Sequence, residues 1–223
     1  MRPRTTTTRA RRRGFTLLET GMALVVITVG VVAMIDAQRS FIMSNAWSSH
    51  EATATYLAGE IRERMRTLTR HDPVSGLVFL NGAVVGLGRE NGEVTVNDLD
   101  DIDDYHLIEL GEGGNFDGPI DAFGRVVPEV DPDGNIRIDT QTGLPVPLQG
   151  WTQAVTVEKI DPYNFSTVLP WEAEQAPSGN GAFPGRTLDR YPLKVTVTVS
   201  YMGPYDAEPR EVVRVSWIVP DNQ

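Results

Sequence analysis

The chain reads as an α+β protein: a long N-terminal helix, apolar at first and amphipathic further on, packed on an antiparallel β-sheet head. Three observations predict this. Proline occurs at Pro3 and then not before Pro73, with only Gly14, Gly21, Gly30 and Gly59 interrupting the stretch between. Such a run permits one continuous helix, because no residue lacks its N–H. From Pro73 onward come fourteen prolines and seventeen glycines, the punctuation of strands and turns. Within that second part, apolar residues alternate with polar ones, the period of a half-buried strand.

The helix comes first. Residues Phe15 to Ile35, FTLLETGMALVVITVGVVAMI, contain one charge, Glu19. As a helix they extend about 31 Å, matching the ~30 Å hydrocarbon core of a bilayer. Before them lies a stretch with six arginines and no acid: Arg2, Arg4, Arg9, Arg11, Arg12 and Arg13. Such a cluster stays on the cytoplasmic side, so everything after Asp36 is expected outside. A secretory signal would be cleaved after the apolar run, but Asp36-Ala37-Gln38-Arg39 is a weak site for that. Glu19 lies inside the apolar segment, where a carboxylate costs roughly 2.5–3.5 kcal/mol near the bilayer centre and needs a compensating cation. Cleavage before Phe15 would create one, a new α-amine at the same depth.

Beyond Asp36 the pattern turns amphipathic. Ala54, Leu57, Ile61, Met65 and Leu68 share one helical face, and Glu60 with Arg64 forms an i,i+4 pair of favourable polarity. One helix from Phe15 to about Arg70 measures about 84 Å. The alternative is two helices with a break between Asp36 and Ser49, where Ser44, Asn45, Ser48 and Ser49 weaken propensity.

The head reads as strands. Leu193, Val195, Val197, Val199 and Tyr201 alternate with polar residues, and Val213, Val215, Trp217 and Val219 follow a Gly/Pro loop, together making an antiparallel hairpin. Trp151–Ile160 is a third strand, with Val155 and Val157 on one face. Weaker candidates are Leu77–Val85, Tyr105–Leu110, Phe123–Val130 and Ile136–Ile138. A long turn-rich stretch, Ser166–Arg190, separates the third strand from the hairpin. The sheet needs a cover, which the Leu57–Leu68 face supplies. The expected organisation is 1–14 cytoplasmic leader, 15–36 membrane half of the helix, 37–70 amphipathic half and 71–223 head.

Composition narrows the function. The chain has 223 residues and a net charge of −10; residues 15–223 hold 14 basic and 30 acidic groups, net −16. That argues against direct nucleic-acid binding, which needs a basic face. With no cysteine, thiolate metal sites, iron–sulfur clusters and disulfides are excluded. His50-Glu51 lacks the second histidine of H-E-x-x-H, Gly86-Leu87-Gly88 and Gly111-Glu112-Gly113 lack the third dinucleotide glycine, and neither G-x-S-x-G nor a Walker A sequence occurs. His50, His71 and His106 are scattered. No cofactor is expected.

Two acidic stretches remain. Asp98, Asp100, Asp101, Asp103 and Asp104 form a dense run, read as a solvated loop. Asp131, Asp133 and Asn135 with Asp139 offer alternate oxygen ligands suited to calcium, but Pro132-Asp133-Gly134-Asn135 is equally a hairpin turn, and the turn is the leading reading.

Gly14-Phe15-Thr16-Leu17-Leu18-Glu19, after a basic leader and before an apolar run, resembles the N-terminal signal of type IV pilins and type II secretion pseudopilins. The resemblance implies a pilin-like fold, cleavage between Gly14 and Phe15 by a prepilin peptidase, and N-methylation of Phe15. It further implies that Glu19 pairs with the Phe15 amine of a neighbouring subunit during assembly. The implied partners are that peptidase/methyltransferase, other pilin or pseudopilin subunits and the inner-membrane assembly platform. Glu51–Arg66, with Leu57-Ala58 and Arg64-Met65-Arg66, is similar to the helix of PilV-type minor pilins. Many pilins carry a helix-bending proline about twenty residues into the mature chain; none stands there in this sequence, so no such kink is expected. Arg12-Arg13-Gly14-Phe15-Thr16-Leu17 also loosely fits a twin-arginine export signal, but Glu19 and the missing small-residue cleavage site depart from that pattern. The expectation is a non-enzymatic minor pilin or pseudopilin. The alternative is a membrane-anchored periplasmic enzyme or binding protein.

Overall fold

The computed structural model describes residues 16–74 and 76–221. Helix α1 runs without interruption from Leu17 to Met65. The break considered at Asp36–Ser49 does not occur: Ser44-Asn45 and Ser48-Ser49 lower propensity without removing a backbone donor, and no proline or glycine interrupts the ladder there. The helix ends at Met65, short of Arg70, where Arg66, Thr67 and Leu68 turn back on carbonyls three residues earlier. Thr20 and Thr28 bond their hydroxyls to the helix's own carbonyls, Thr20 to Leu17 at 2.9 Å and Thr28 to Leu24 at 2.8 Å. Neither of these hydroxyls then demands water in the apolar stretch.

The chain forms two compact units, the first ending at Ser48 and the second beginning at Ser49. Within the first, the helix is exposed along its length, including Leu24, Val25, Val26 and Ile27, and it is long and apolar enough to cross a membrane.

In the second unit the same helix is a roof. Ala54, Leu57, Ala58, Ile61 and Met65 are buried and meet Val155, Val157, Val195, Val197 and Val199 in one core. Those valines belong to a five-stranded antiparallel sheet built from β3 (Ile108–Leu110), β4 (Trp151–Asp161), β5 (Asn164–Val168), β6 (Leu193–Tyr201) and β7 (Arg210–Val219), in the order β3-β4-β6-β7 with β5 also pairing with β4. Val197 stands opposite Val155 and Val215, as alternation requires. On the other face Thr196 and Ser216 share a hydrogen bond at 2.9 Å. At the edge, β7 presents Val213, Val215, Trp217 and Val219 to the core only half-buried.

Three sequence expectations change. Leu77–Val85 is a small separate hairpin, β1 (Val78–Leu80) and β2 (Ala83–Val85), turned at Asn81-Gly82 with both φ angles positive. An Asn-Gly pair is the turn such a geometry selects, and it was the missed signal. The strands expected at Phe123–Val130 and Ile136–Ile138 are single bridges, Ile120–Val126, Pro128–Pro147, Val130–Ile136 and Ile138–Pro145. Prolines at 128, 145 and 147 remove the donors that a continuous ladder needs. The long loop is also shorter at its start, because β5 continues to Val168.

The proposed Glu60–Arg64 pair is not made. Glu60 accepts the Ala122 N–H at 2.7 Å. Arg64 donates to the Tyr105 hydroxyl and to the Val96 carbonyl at 2.7 Å. Both side chains tie α1 to the loops below it, and buried Gln153 does the same from β4, donating to the Leu57 carbonyl at 2.9 Å while accepting from Ile120 at 2.8 Å. The ion pair along the helix is Glu63–Arg66, exposed on both sides.

Candidate functional site

The residues singled out in the sequence fall in separate places. Gly14 and Phe15 lie outside the described residues. Glu19 is in the first turn of α1, exposed, where a negative charge favours the helix dipole. Its N–H donates to the Thr16 hydroxyl at 3.3 Å. Thr16 thus caps the helix, and Thr16-Leu17-Leu18-Glu19 has the T-x-x-E spacing of a capping box. Part of the reason for an acid at this point is local.

The Asp131–Asn135 stretch is a turn. Asp131 Oδ1 accepts the N–H groups of Asp133 at 3.0 Å and Asn135 at 2.8 Å, which closes the Val130–Ile136 bridge. These bonds hold its carboxyl below the ordinary aspartate value. Asp139 belongs to the next turn, accepting from the Gln141 N–H at 2.8 Å and the Thr142 hydroxyl at 2.9 Å. Both aspartates are half-buried and their oxygens serve turn geometry.

The histidines are also apart. His50 packs on the rings of Trp151 and Tyr201. His106 Nδ1 accepts the Val157 N–H at 3.3 Å. His71 is buried, its Nδ1 lying 3.3 Å from Asp103 Oδ1 but outside hydrogen-bonding geometry. Burial lowers its pKa to about 4, so it is neutral at pH 7.

Comparison with protein-family models, with curated proteins and with solved structures gives no match.

The sheet and α1 enclose a feature that the sequence reading placed in solvent. Asp101, Asp103 and Asp104 are buried, at 0%, 0% and 1% exposure. The solvated-loop expectation fails because apolar residues are threaded through the same run. Val96, Leu99, Ile102 and Tyr105 recur every third position and all enter the core. That period of three, with a 3-10 turn at Asp103–Tyr105, was the available signal. The acids between them are carried inward with it.

Backbone amides fix these carboxylates. Asp101 Oδ1 accepts the Asp104 N–H at 3.0 Å, while Asp104 Oδ2 accepts those of Asp100 at 3.0 Å and Asp101 at 3.2 Å. Their other oxygens, Asp101 Oδ2 and Asp104 Oδ1, are buried without a hydrogen-bond partner, and so is Glu90 Oε1. Glu90, Asp101 and Asp104 bring ligand oxygens within 4.8 Å of one another, and Glu93, Asp100 and Asp104 do the same. Desolvation and mutual repulsion raise Asp101 to about 9 and Glu90 to about 7.

Proposed function

We propose that this chain is a minor pilin or pseudopilin: a structural, non-enzymatic subunit that is processed by a prepilin peptidase and assembled into a type IV pilus or a type II secretion pseudopilus. The observation that carries this reading is the division of labour along one uninterrupted helix. Its first half is apolar and exposed, suited first to lipid and then to a bundle of neighbouring subunits' helices. Its last stretch buries Ala54, Leu57, Ala58, Ile61 and Met65 under an antiparallel sheet. A pilin-like fold requires that combination, and the Gly14-Phe15…Glu19 signal supplies the processing logic. The subunit then sits in the inner membrane with its N-terminus cytoplasmic and its head outside. There it meets the peptidase, the assembly platform and other subunits.

The mass of the mature N-terminus tests this. A product beginning at Phe15 with a methylated amine is expected; an intact leader, or a cut near Ala37, overturns the reading. Gly14→Val tests the same step from the other side. A peptidase that needs the chain close in its active site tolerates no branched side chain before the cut. The variant is expected to remain at precursor length in the inner membrane.

A further inference from the structure

We infer that the head binds one divalent cation, calcium by its chemistry, through carboxylate oxygens of Glu90, Asp101 and Asp104. Three observations converge. Each of the three residues has one buried oxygen with no hydrogen-bond partner. Two of these side chains are completely enclosed, and their second oxygens are held by backbone amides, so the orphan oxygens are fixed in direction. The three groups bring ligand oxygens within 4.8 Å of one another, the spread of oxygens arranged round an ion at ~2.4 Å.

Charge points the same way. Among the described residues no lysine or arginine forms an ion pair with Glu90, Glu93, Asp100, Asp101 or Asp104. The nearby guanidiniums are used elsewhere, Arg64 on Tyr105 and Val96 and Arg89 over the Phe116 ring. Without a counter-charge these buried carboxyls cannot all ionise, and a cation supplies the charge that lets them. The donor set is oxygen only, with no thiolate and no imidazole, which selects hard cations over zinc or copper. The ligands come from an irregular segment between β2 and β3, a support that suits calcium's variable geometry better than magnesium's strict octahedron. Glu93 and Asp100, grouped with the same Asp104, add negative charge beside the site.

The bound ion would fasten the segment that delivers Val96, Leu99 and Ile102 to the core. This site is independent of the filament reading. A chain that binds calcium and is never cleaved at Gly14 leaves it standing.

The test uses the full chain in detergent, stripped with EDTA and titrated with calcium chloride by calorimetry and equilibrium dialysis. We expect one calcium per chain with Kd between about 10⁻⁴ and 10⁻³ M, the range of extracellular modules. At a hundredfold excess over Kd, thermal unfolding is expected to rise by roughly 5–10 °C, and by less with magnesium chloride. Asp104→Asn and Glu90→Gln are expected to weaken binding at least about tenfold. Asp131→Asn, in the exposed turn, is expected to bind as wild type does. Absence of stoichiometric uptake by folded wild type at millimolar calcium overturns the proposal. So does wild-type affinity in Glu90→Gln, which decides the matter even if Asp104→Asn fails to fold.

Discussion

Lys159 shows how far one side chain can depart from what its type suggests. It lies on β4 with 1% exposure, and its ammonium donates to the carbonyls of Trp171 at 2.9 Å and Ala173 at 2.5 Å. The Tyr191 ring covers it at 4.3 Å. The amine therefore holds the loop after β5 against the sheet. Desolvation lowers its pKa to about 8, below the unfolded value near 10.5. The sign follows directly. Between pH 8 and 10.5 the unfolded chain binds the extra proton, so the Lys159 contribution to stability rises with pH across that window. Lys159→Met removes the slope. Chemical denaturation of both proteins from pH 7.5 to 10.5 is expected to show wild type gaining on the variant; parallel curves would contradict the burial of a charged amine. Alternation puts Lys159 in the next inward register after Val155 and Val157, against the solvent exposure its charge implies, with β4 irregular at Ile160 and Asp161. The buried aspartates were equally hidden. Their charge implies exposure, while the three-residue apolar period through the same stretch carries them inward.

At the scale of the element, alternation decides the consequence of a charge. Val197 is completely buried between Val155 and Val215, whereas its neighbour Thr198 is half-buried on the opposite face of β6 and stands across from Arg214. Val197→Asp is expected to cost roughly 3–5 kcal/mol. Thr198→Asp faces a cross-strand arginine and is expected to stay within about 0.5 kcal/mol of wild type. Urea denaturation and limited proteolysis separate the two; equal sensitivity would mean that the register is wrong. A second element-level test lies at Gly150, where φ is +75° and an added Cβ would stand 2.3 Å from the Met202 carbonyl oxygen. Met202 donates its N–H to Gly150 at 2.8 Å, so the two backbones are locked together where β4 begins and β6 ends. Gly150→Ala is expected to lower the melting temperature by several degrees, since it combines strain at positive φ with a backbone clash. A calorimetric scan matching wild type would show that the turn relaxes freely. These strands were legible because period two is a strong signal when one face is buried. The proline-broken bridges between residues 120 and 147 were not, because backbone pairing there survives without a strand's regular alternation.

For the whole molecule the decisive question is assembly. In a filament core, the apolar helices exchange lipid for one another, and a carboxylate among them needs a cation. On the proposed reading, Glu19 of an arriving subunit takes the Phe15 amine of a neighbour and thereby sets the axial register. Glu19→Ala removes the charge and the registration together. The capping bond is made by the Glu19 backbone N–H to Thr16, so the helix start survives the substitution. The variant is therefore expected to be inserted and cleaved but to accumulate in the inner membrane instead of in sheared filaments. Blotting of the two fractions checks this, and wild-type amounts in the filament fraction would refute the pairing role.

The sequence by itself determined the long helix, the change along it from all-round apolar to one-sided, and the three long strands, because each rests on a period that local chemistry imposes. The resemblance of Gly14-Phe15…Glu19 to a processing signal is likewise a matter of residue order alone. Tertiary structure decided the rest. Only packing shows that Glu60 and Arg64 reach down to Ala122, Tyr105 and Val96 instead of toward each other. Only packing shows that an acidic run lies inside the head: the apolar period of three threaded through it gives the pull, but what that face packs against is distant in sequence and set by the tertiary fold.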